Sequence, residues 1–264
     1  MNILVTGATG VLGRSVLNEL RSRDIQAQGF GRSDQADLQG DLLNRDSLGG
    51  TIQGFNVVVH CATALAAHED KQMTANLIHA LQAEQDAGRL QNLVYVSISG
   101  VDQVTAFPYY SAKLHSERLI EGSGLPHTIL RATQFFDLAD YLLKQLRFGS
   151  LQLASPHLRM QPVAPQAVGV RLADLALLPA AGRVLDIAGP ERLSLSDMAR
   201  IAARSSRRRY LLHLPLPIPA LRKGRLIPAR CESVGCTYRE WLAAHGTGPA
   251  TTAGNILCGA FERA

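Results

Sequence analysis

Short apolar runs alternate with amphipathic stretches along the first 150 residues of the chain. The apolar runs are rich in β-branched residues and predict strands at residues 2–6, 25–30, 36–40, 55–60, 92–97 and 127–131. The stretches between them place apolar residues at helical spacing, at residues 14–21, 73–87, 108–121 and 138–148. Strands that alternate with helices are typical of parallel sheets, so the pattern predicts an α/β fold with a Rossmann-type doubly wound parallel sheet.

The pattern changes after residue 150, where prolines become more frequent and the elements become shorter. This part predicts strands at residues 158–163, 183–187 and 210–214 and helices at residues 168–178, 194–203 and 238–244. Prolines at positions 215, 217 and 219 predict an extended connector. We therefore expect a Rossmann domain (1–150), a smaller α/β C-terminal lobe on the substrate side (151–246) that returns a strand to the sheet, and a loosely ordered tail (247–264).

A glycine-rich turn follows the first predicted strand directly. Gly7 would allow the tight turn out of the strand, Gly10 would let backbone N–H groups approach a pyrophosphate, and Gly13 would let the next helix pack closely. The helix N-terminus adds unpaired N–H donors and a partial positive charge. This context, between a strand and a helix, favours a dinucleotide-binding site over a plain strand–turn–helix corner.

The second predicted strand ends at Arg32, where a Rossmann unit that prefers NAD would carry an acidic residue. A guanidinium group can form a forked hydrogen bond with the 2′-phosphate of NADPH, which is worth roughly 1.5–3 kcal/mol. We expect NADPH to be preferred by about ten- to a hundredfold. The alternative is a surface arginine in a turn. Arg14 is a second candidate for the phosphates, or else an arginine on the helix surface.

The helix predicted at residues 108–121 carries Tyr109 and Lys113 on one face, about one turn apart. A lysine ammonium beside a phenol favours the phenolate, which makes the tyrosine a candidate proton donor or acceptor. We therefore interpret Lys113 and Tyr109 as the catalytic residues, with a pocket wall as the alternative for Tyr109. His60 ends an apolar strand and is interpreted as a core histidine.

Composition and charge narrow the function class. The chain has 264 residues, of which 46% are hydrophobic and 19% charged, and no run of 18 apolar residues, so we expect a cytoplasmic protein without a membrane span. Arg204, Arg207, Arg208 and Arg209 lack interleaved aromatics, which favours a solvated surface over nucleic-acid binding. The four cysteines have no zinc-like spacing, so we expect reduced thiols and no metal site.

Taken in order, these segments resemble an atypical short-chain dehydrogenase/reductase of the NmrA-like NAD(P)-binding family. The segments are GATGVLG (7–13), GRS (31–33), Asp41-Leu42, YVSISGV (95–101), PYYSAK (108–113) and GLPHTILRATQF (124–135), and the resemblance reaches to about residue 245. Ser97 and Ser99 precede Tyr109 by only 12 and 10 residues, whereas the full catalytic triad of that superfamily has its serine well upstream. The role of these serines stays open.

The resemblance implies a set of cofactor-binding residues, from the pyrophosphate side to the nicotinamide side: Gly7, Thr9, Gly10, Val11, Leu12, Gly13, Arg32, Ser33, Asp41, Leu42, Ala62, Thr63, Ser97, Lys113 and Thr133. It implies a substrate pocket formed by Ser99, Tyr109, Gln134, Phe135 and Phe136. Our leading hypothesis is an NADPH-dependent reductase that transfers hydride to a planar, conjugated small molecule such as a quinone or enone. The alternative is a regulator that senses NAD(P)H without turnover and acts through a protein partner. Monomer and homodimer both remain open.

Overall fold

The computed structural model describes residues 1–64, 66–203, 210–213 and 224–245. Several predicted features lie outside these residues: the end of the strand at 210–214, the proline connector at 215–219, the arginine cluster within 204–209, Cys258 and the tail at 247–264. Among the residues that the structure describes, no helix combines the length and the apolar character needed to cross a membrane.

The described residues contain fourteen strands: β1 (Ile3–Thr6), β2 (Ala27–Gly31), β3 (Leu38–Gln39), β4 (Val57–His60), β5 (Asn92–Ile98), β6 (His127–Ala132), β7 (Arg147–Phe148), β8 (Leu151–Ala154), β9 (Arg159–Met160), β10 (Gly182–Arg183), β11 (Ile187–Ala188), β12 (Leu193–Ser194), β13 (Tyr210–His213) and β14 (Glu232–Ser233). The helices are α1 (Val11–Ser22), α2 (Ala67–Asp86), α3 (Pro108–Gly122), α4 (Phe136–Gln145), α5 (Pro165–Ala176), α6 (Leu195–Ala203) and α7 (Tyr238–His245). Two 3-10 turns lie at Arg45–Ser47 and Val101–Gln103.

Nine of these strands form one parallel sheet in the order β14-β11-β6-β5-β4-β1-β2-β3, with β10 also beside β6. The part from β3 to β6 has the 3-2-1-4-5-6 order of a Rossmann sheet. Successive residues of β1 point to opposite faces, and both faces are buried: Ile3 and Val5 pack towards α1 and α5, and Leu4 packs towards α2 and α3. The predicted Rossmann-type fold is confirmed.

The C-terminal lobe packs around an apolar cluster formed mainly by α4, α6 and α7, to which α3 and the 3-10 turn before it also contribute. Two small sheets, β7-β8-β13 and β9-β12, belong to it. The lobe is joined to the end of β6 by three hydrogen bonds: Thr133 Oγ1 to the Gln161 carbonyl (2.6 Å), the Val163 amide to the Gln134 carbonyl (2.9 Å), and the Phe136 amide to the Val163 carbonyl (3.2 Å). The chain then returns to the sheet through β10 and β11, which both pair with β6.

Two predicted strands of this part are wrong in extent. The strand at 183–187 is divided into β10 and β11, because three residues lie between Arg183 and Ile187 while only two lie between their partners Ile129 and Ala132. The extra residue makes a bulge that interrupts the ladder. The strand at 158–163 is reduced to β9, and Pro162 cannot donate a backbone hydrogen bond to extend it.

Candidate functional site

The glycine turn after β1 has the conformation that the spacing predicts. Gly7 has φ +67°, which L side chains rarely adopt, and a Cβ atom there would lie 2.7 Å from the backbone of Ala62. A Cβ on Gly13 would overlap the carbonyl oxygen of Gly7. The turn is closed by a hydrogen bond from the Gly10 amide to the Gly7 carbonyl (3.0 Å). Gly7 and Gly13 are therefore required by close backbone packing, of the turn against the segment after β4 and of α1 against the turn.

Helix α1 begins directly after this turn with no side-chain cap and no acidic residue in its first turn. Its first N–H groups are thus available to an anion. Leu12 is buried in the core, so it can contribute to such a site only through its backbone. Arg14 donates to the Thr9 carbonyl (2.6 Å), an interaction that holds the guanidinium against the glycine turn.

The predicted 2′-phosphate site lies on the surface at the end of β2. Arg32 is exposed, and its carbonyl accepts a hydrogen bond from Gln39 (3.1 Å). The hydroxyl of Ser33 donates to Asp34 (3.2 Å). The nearby carboxylate of Asp37 accepts from the Gly29 amide (2.6 Å) and forms an ion pair with an arginine of α1, so it is engaged away from the end of the strand.

The segment predicted to flank adenine is held by α2. Asp41 accepts from the Leu43 amide (3.0 Å), and Leu42 is buried in the core. Asn76 donates to the carbonyls of Leu42 (2.8 Å) and Leu43 (3.1 Å). Asn76 was not among the predicted residues. Its signal in the sequence was weak, since it is a single polar residue on a helix whose partner is another part of the chain.

The structure brings Tyr109 and Lys113 together with the segment after β4. Both side chains are buried on α3. The Lys113 ammonium lies 5.9 Å from the centroid of the Tyr109 ring and 5.3 Å from that of Tyr95 on β5. The Tyr109 hydroxyl is 3.5 Å from the hydroxyl of Thr63. A phenol, an ammonium and an alcohol therefore meet at the carboxyl end of the sheet, where open α/β sheets bind their ligands.

Sequence reasoning missed Asp70, which joins this group. Its Oδ1 atom accepts from the Thr63 hydroxyl (2.8 Å) and the Ala64 amide (3.1 Å), and it lies 3.3 Å from the Lys113 ammonium. The prediction began the helix at residue 73, whereas α2 begins at Ala67 and includes Asp70. The sequence did contain a signal for it. Asp70 lies one turn before Met73 and two turns before Leu77, and both of these residues are buried, so the carboxylate lies on the core face of the helix.

Charge at this site is set by burial and by Asp70. Burial is the largest single influence on the pKa of Lys113, and it lowers that pKa. The charge of Asp70 and smaller contributions from Tyr95 and Tyr109 together outweigh burial, so the net shift is upward and the amine is cationic. Burial raises the pKa of Cys61 to about 12, which keeps the thiol protonated. Burial lowers the pKa of His60 to about 3. That side chain bridges the hydroxyls of Thr6 (2.7 Å) and Thr74 (3.4 Å), as expected for a core histidine.

Several buried polar atoms at the ends of β5 and β6 have no hydrogen-bond partner among the described residues. They are the hydroxyl oxygens of Ser97 and Ser99 and both amide atoms of Gln134. Buried polar atoms in folded proteins are normally hydrogen-bonded, so such exceptions need an explanation. Here they coincide with positions that the family resemblance gives to the cofactor and the substrate.

The other members of the predicted wall after β6 differ in placement. Thr133 uses its hydroxyl to bind the lobe, as described above. Phe135 is half-buried against the sheet core. The ring of Phe136 is fully buried in the lobe, 5.5 Å from Tyr238 and 5.4 Å from Trp241 between ring centroids. We therefore leave Phe136 out of the pocket that we propose below.

A sequence model described as NAD(P)H-binding matches residues 7–145, just over half of the chain. The chain belongs to the NAD(P)H-binding family. The match begins at Gly7, where the turn opens, and ends in α4, so it includes Tyr109, Lys113 and Asp70. This membership confirms the family resemblance drawn from the motifs.

The curated relatives of this NAD(P)H-binding chain include an enzyme subunit, an assembly factor and a reductase. It is 35% identical over 116 residues to methionine adenosyltransferase 2 subunit beta of Danio rerio, covering 40% of the chain and 36% of that protein. It is 26% identical over 148 residues to the photosystem II assembly factor Ycf39 of Trieres chinensis (52% and 46%) and 28% identical over 194 residues to a 2-alkyl-3-oxoalkanoate reductase of Shewanella oneidensis (62% and 46%). The chain thus spans between about a third and a half of these relatives.

Solved structures share the fold over most of the chain. The NADPH-dependent quinone oxidoreductase QOR2 of Escherichia coli, complexed with NADPH, has a TM-score of 0.76 at 16% identity, covering 92% of this chain and 99% of that one. Triphenylmethane reductase of Citrobacter sp., complexed with NADP(H), has a TM-score of 0.72 at 18% identity (87% and 92%). A nucleoside-diphosphate-sugar epimerase of Staphylococcus aureus has a TM-score of 0.76 at 17% identity (92% and 99%). Reductases and an epimerase therefore share this fold.

Proposed function

We propose that the protein is an NADPH-dependent reductase that transfers hydride to a planar, conjugated acceptor such as a quinone or enone. The observation that supports this most directly is the buried group of Tyr109, Lys113 and Thr63 at the carboxyl end of the sheet. The glycine turn and the uncapped N-terminus of α1 lie at the same end of the sheet and offer backbone N–H groups to the pyrophosphate of a dinucleotide. Together they offer a binding site and a proton donor.

NADPH would supply the hydride, as nicotinamide cofactors do. In our proposal the cationic Lys113 stabilises negative charge that develops on the acceptor oxygen, and the Tyr109 hydroxyl donates the proton. The Thr63 hydroxyl lies 3.5 Å from the Tyr109 hydroxyl and would help to orient it. The half-buried ring of Phe135 and the unpartnered amide of Gln134 provide an apolar surface and a hydrogen-bonding group for a planar acceptor.

The first experiment measures consumption of NADPH against quinones, enones, ketones and imines. We expect Lys113→Met to lower turnover by about a hundredfold or more, because it removes the cation at the site, while NADPH affinity changes less. Lys144→Met is the matched control, since Lys144 also pairs with an aspartate, at 2.7 Å, but on the lobe helix α4. Unchanged turnover in Lys113→Met would remove the catalytic role of Lys113.

Cofactor preference tests the role of Arg32. We expect wild-type protein to prefer NADPH over NADH by about ten- to a hundredfold, and Arg32→Ala to remove most of that preference without changing NADH affinity. Arg159→Ala, an exposed arginine on the lobe, serves as the control. Equal loss of NADH affinity would show that Arg32 supports the fold of the turn instead.

The names of two relatives favour a second candidate function, a regulator that binds NAD(P)H without turnover. One relative is a subunit of an enzyme and another an assembly factor, so members of this group act with protein partners. In this case the protein would bind NADPH but consume none with any acceptor in the panel. Its partner would then be sought by co-purification, with Arg32→Ala as the variant in which NADPH binding is weakened.

A further inference from the structure

Asp70 connects two segments of the site, α3 and the segment after β4. One of its oxygens receives hydrogen bonds from the Thr63 hydroxyl and the Ala64 amide, which belong to the segment after β4. The same oxygen lies 3.3 Å from the Lys113 ammonium, which comes from α3. Its second oxygen has no partner among the described residues, and the side chain is 1% exposed.

The charge of Asp70 has an identifiable physical consequence. Lys113 is faced by His60 and Cys61 from β4 and its end, by Tyr95 from β5, by Asp70 from α2 and by Tyr109 on α3. Within the described residues, Asp70 supplies the only carboxylate in an ion pair with this ammonium. A buried amine without a partner loses its proton readily, whereas an adjacent carboxylate favours the charged form.

We propose that Asp70 is a positioning residue for Lys113, which holds the ammonium charged and beside Tyr109 while it anchors the segment after β4 on which the cofactor would lie. The consequence for catalysis rests on the proposed function. The ion pair and its effect on the amine are independent of it. Because Asp70 acts through Lys113 and Thr63, its loss is expected to change turnover and its pH dependence more than the fold.

The decisive test is an NMR titration of lysine side chains labelled with ¹³C at Cε. The chain has four lysines, so the signals are few, and the signal absent from Lys113→Met identifies Lys113. In wild-type protein we expect Lys113 to stay charged beyond the ordinary lysine pKa of 10.5. In Asp70→Asn, which keeps the size and an acceptor oxygen, the largest influence that opposes burial is removed, and the titration midpoint should fall by roughly two pH units or more.

Glu117→Gln is the matched control, because it also replaces a buried carboxylate with an amide. Glu117 lies one turn after Lys113 on α3 and pairs with another residue, so the titration midpoint of Lys113 should not change. A midpoint that is unchanged in Asp70→Asn overturns the proposal. If that variant does not fold, the wild-type titration still decides, since a Lys113 amine that titrates at or below its ordinary value also overturns it.

Activity provides the second readout. Asp70→Asn should bind NADPH with near wild-type affinity at low pH and lose turnover as the pH rises, while wild-type turnover holds over the same range. Turnover that follows the wild-type profile contradicts the positioning role. Failure of the proposed function gives a different result. A wild-type protein that does not bind NADPH, or does not consume it, would contradict the reductase proposal, and the lysine titration would then remain as the test of Asp70.

Discussion

Two buried ion pairs on the inner face of α3, one turn apart, differ in how completely their polar atoms are bonded. Glu117 binds Arg131 of β6 through both carboxylate oxygens (2.8 and 2.6 Å), and Arg131 also binds Asp102 (2.7 Å). Lys113 meets a single oxygen of Asp70 at 3.3 Å, and the other oxygen has no partner among the described residues. The fully bonded pair joins α3 to β6, whereas the partly bonded pair lies beside Tyr109.

This difference leads us to propose that the first pair is structural and that the second has a role in the proposed function. A fully bonded buried pair is rigid and has no capacity left for a ligand, whereas a partly bonded group retains donors and acceptors that a ligand can use. Three predictions test whether bonding state distinguishes the two kinds of group, in order of decreasing effect.

Removing Glu117 should have the largest effect on stability. Glu117→Ala leaves Arg131 buried without its main partner, which costs about 3–5 kcal/mol in the free energy of unfolding. Replacing both residues, as Glu117→Leu with Arg131→Met, should recover most of that loss because no uncompensated charge remains. Urea unfolding measures both. A loss below about 1 kcal/mol in Glu117→Ala would contradict the structural assignment of this pair.

His60 extends the comparison to an uncharged buried side chain whose two ring nitrogens both have hydrogen-bond partners. Its folded-state pKa of about 3 lies below the ordinary value of 6.5, so the unfolded chain takes up the proton first as the pH falls. The free energy of unfolding should therefore decrease by up to about 1.4 kcal/mol per pH unit below 6.5, or roughly 2–3 kcal/mol between pH 6 and 4.

The control for His60 is His60→Gln, which cannot titrate. Urea unfolding at several pH values should show a steeper acid dependence in the wild-type protein than in this variant. Parallel curves would mean that His60 is protonated equally in the folded and unfolded chains.

The smallest expected effect compares two buried serines. Ser116 accepts a hydrogen bond from the Thr74 hydroxyl (3.1 Å), and Ser97 has no partner among the described residues. Ser116→Ala should cost about 0.5–1.5 kcal/mol of stability, whereas Ser97→Ala should stay within about 0.5 kcal/mol and instead weaken NADPH binding. If Ser97→Ala destabilises the fold as much as Ser116→Ala, an unbonded hydroxyl does not mark the site.

The sequence predicted the features that depend on contiguous residues. The glycine turn, the buried strands and the Tyr109–Lys113 spacing each lie within one short segment, so local pattern was sufficient. The strand order followed from the Rossmann alternation, and the family membership agrees with it.

Features that depend on pairing between distant segments could not be predicted. Asp70 becomes part of the site only when α2 packs beside α3, and no spacing rule links it to Lys113. Phe136 occupies the core because Tyr238 and Trp241, far along the chain, cover it. The bulge between β10 and β11 depends on the register against β6, which a single strand does not encode.

The junction between the sheet and the lobe sets a boundary for recombination. Residues 133–136 and 161–163 are joined by three hydrogen bonds, and Gly189 packs so closely on the Pro162 carbonyl that a side chain there would overlap it. A chimaeric protein that receives another lobe must therefore inherit both segments and the glycine as one unit. Since Gln134 lies inside that unit, transplanting the lobe would also transplant part of the pocket that we propose, and we expect substrate preference to be transferred with it.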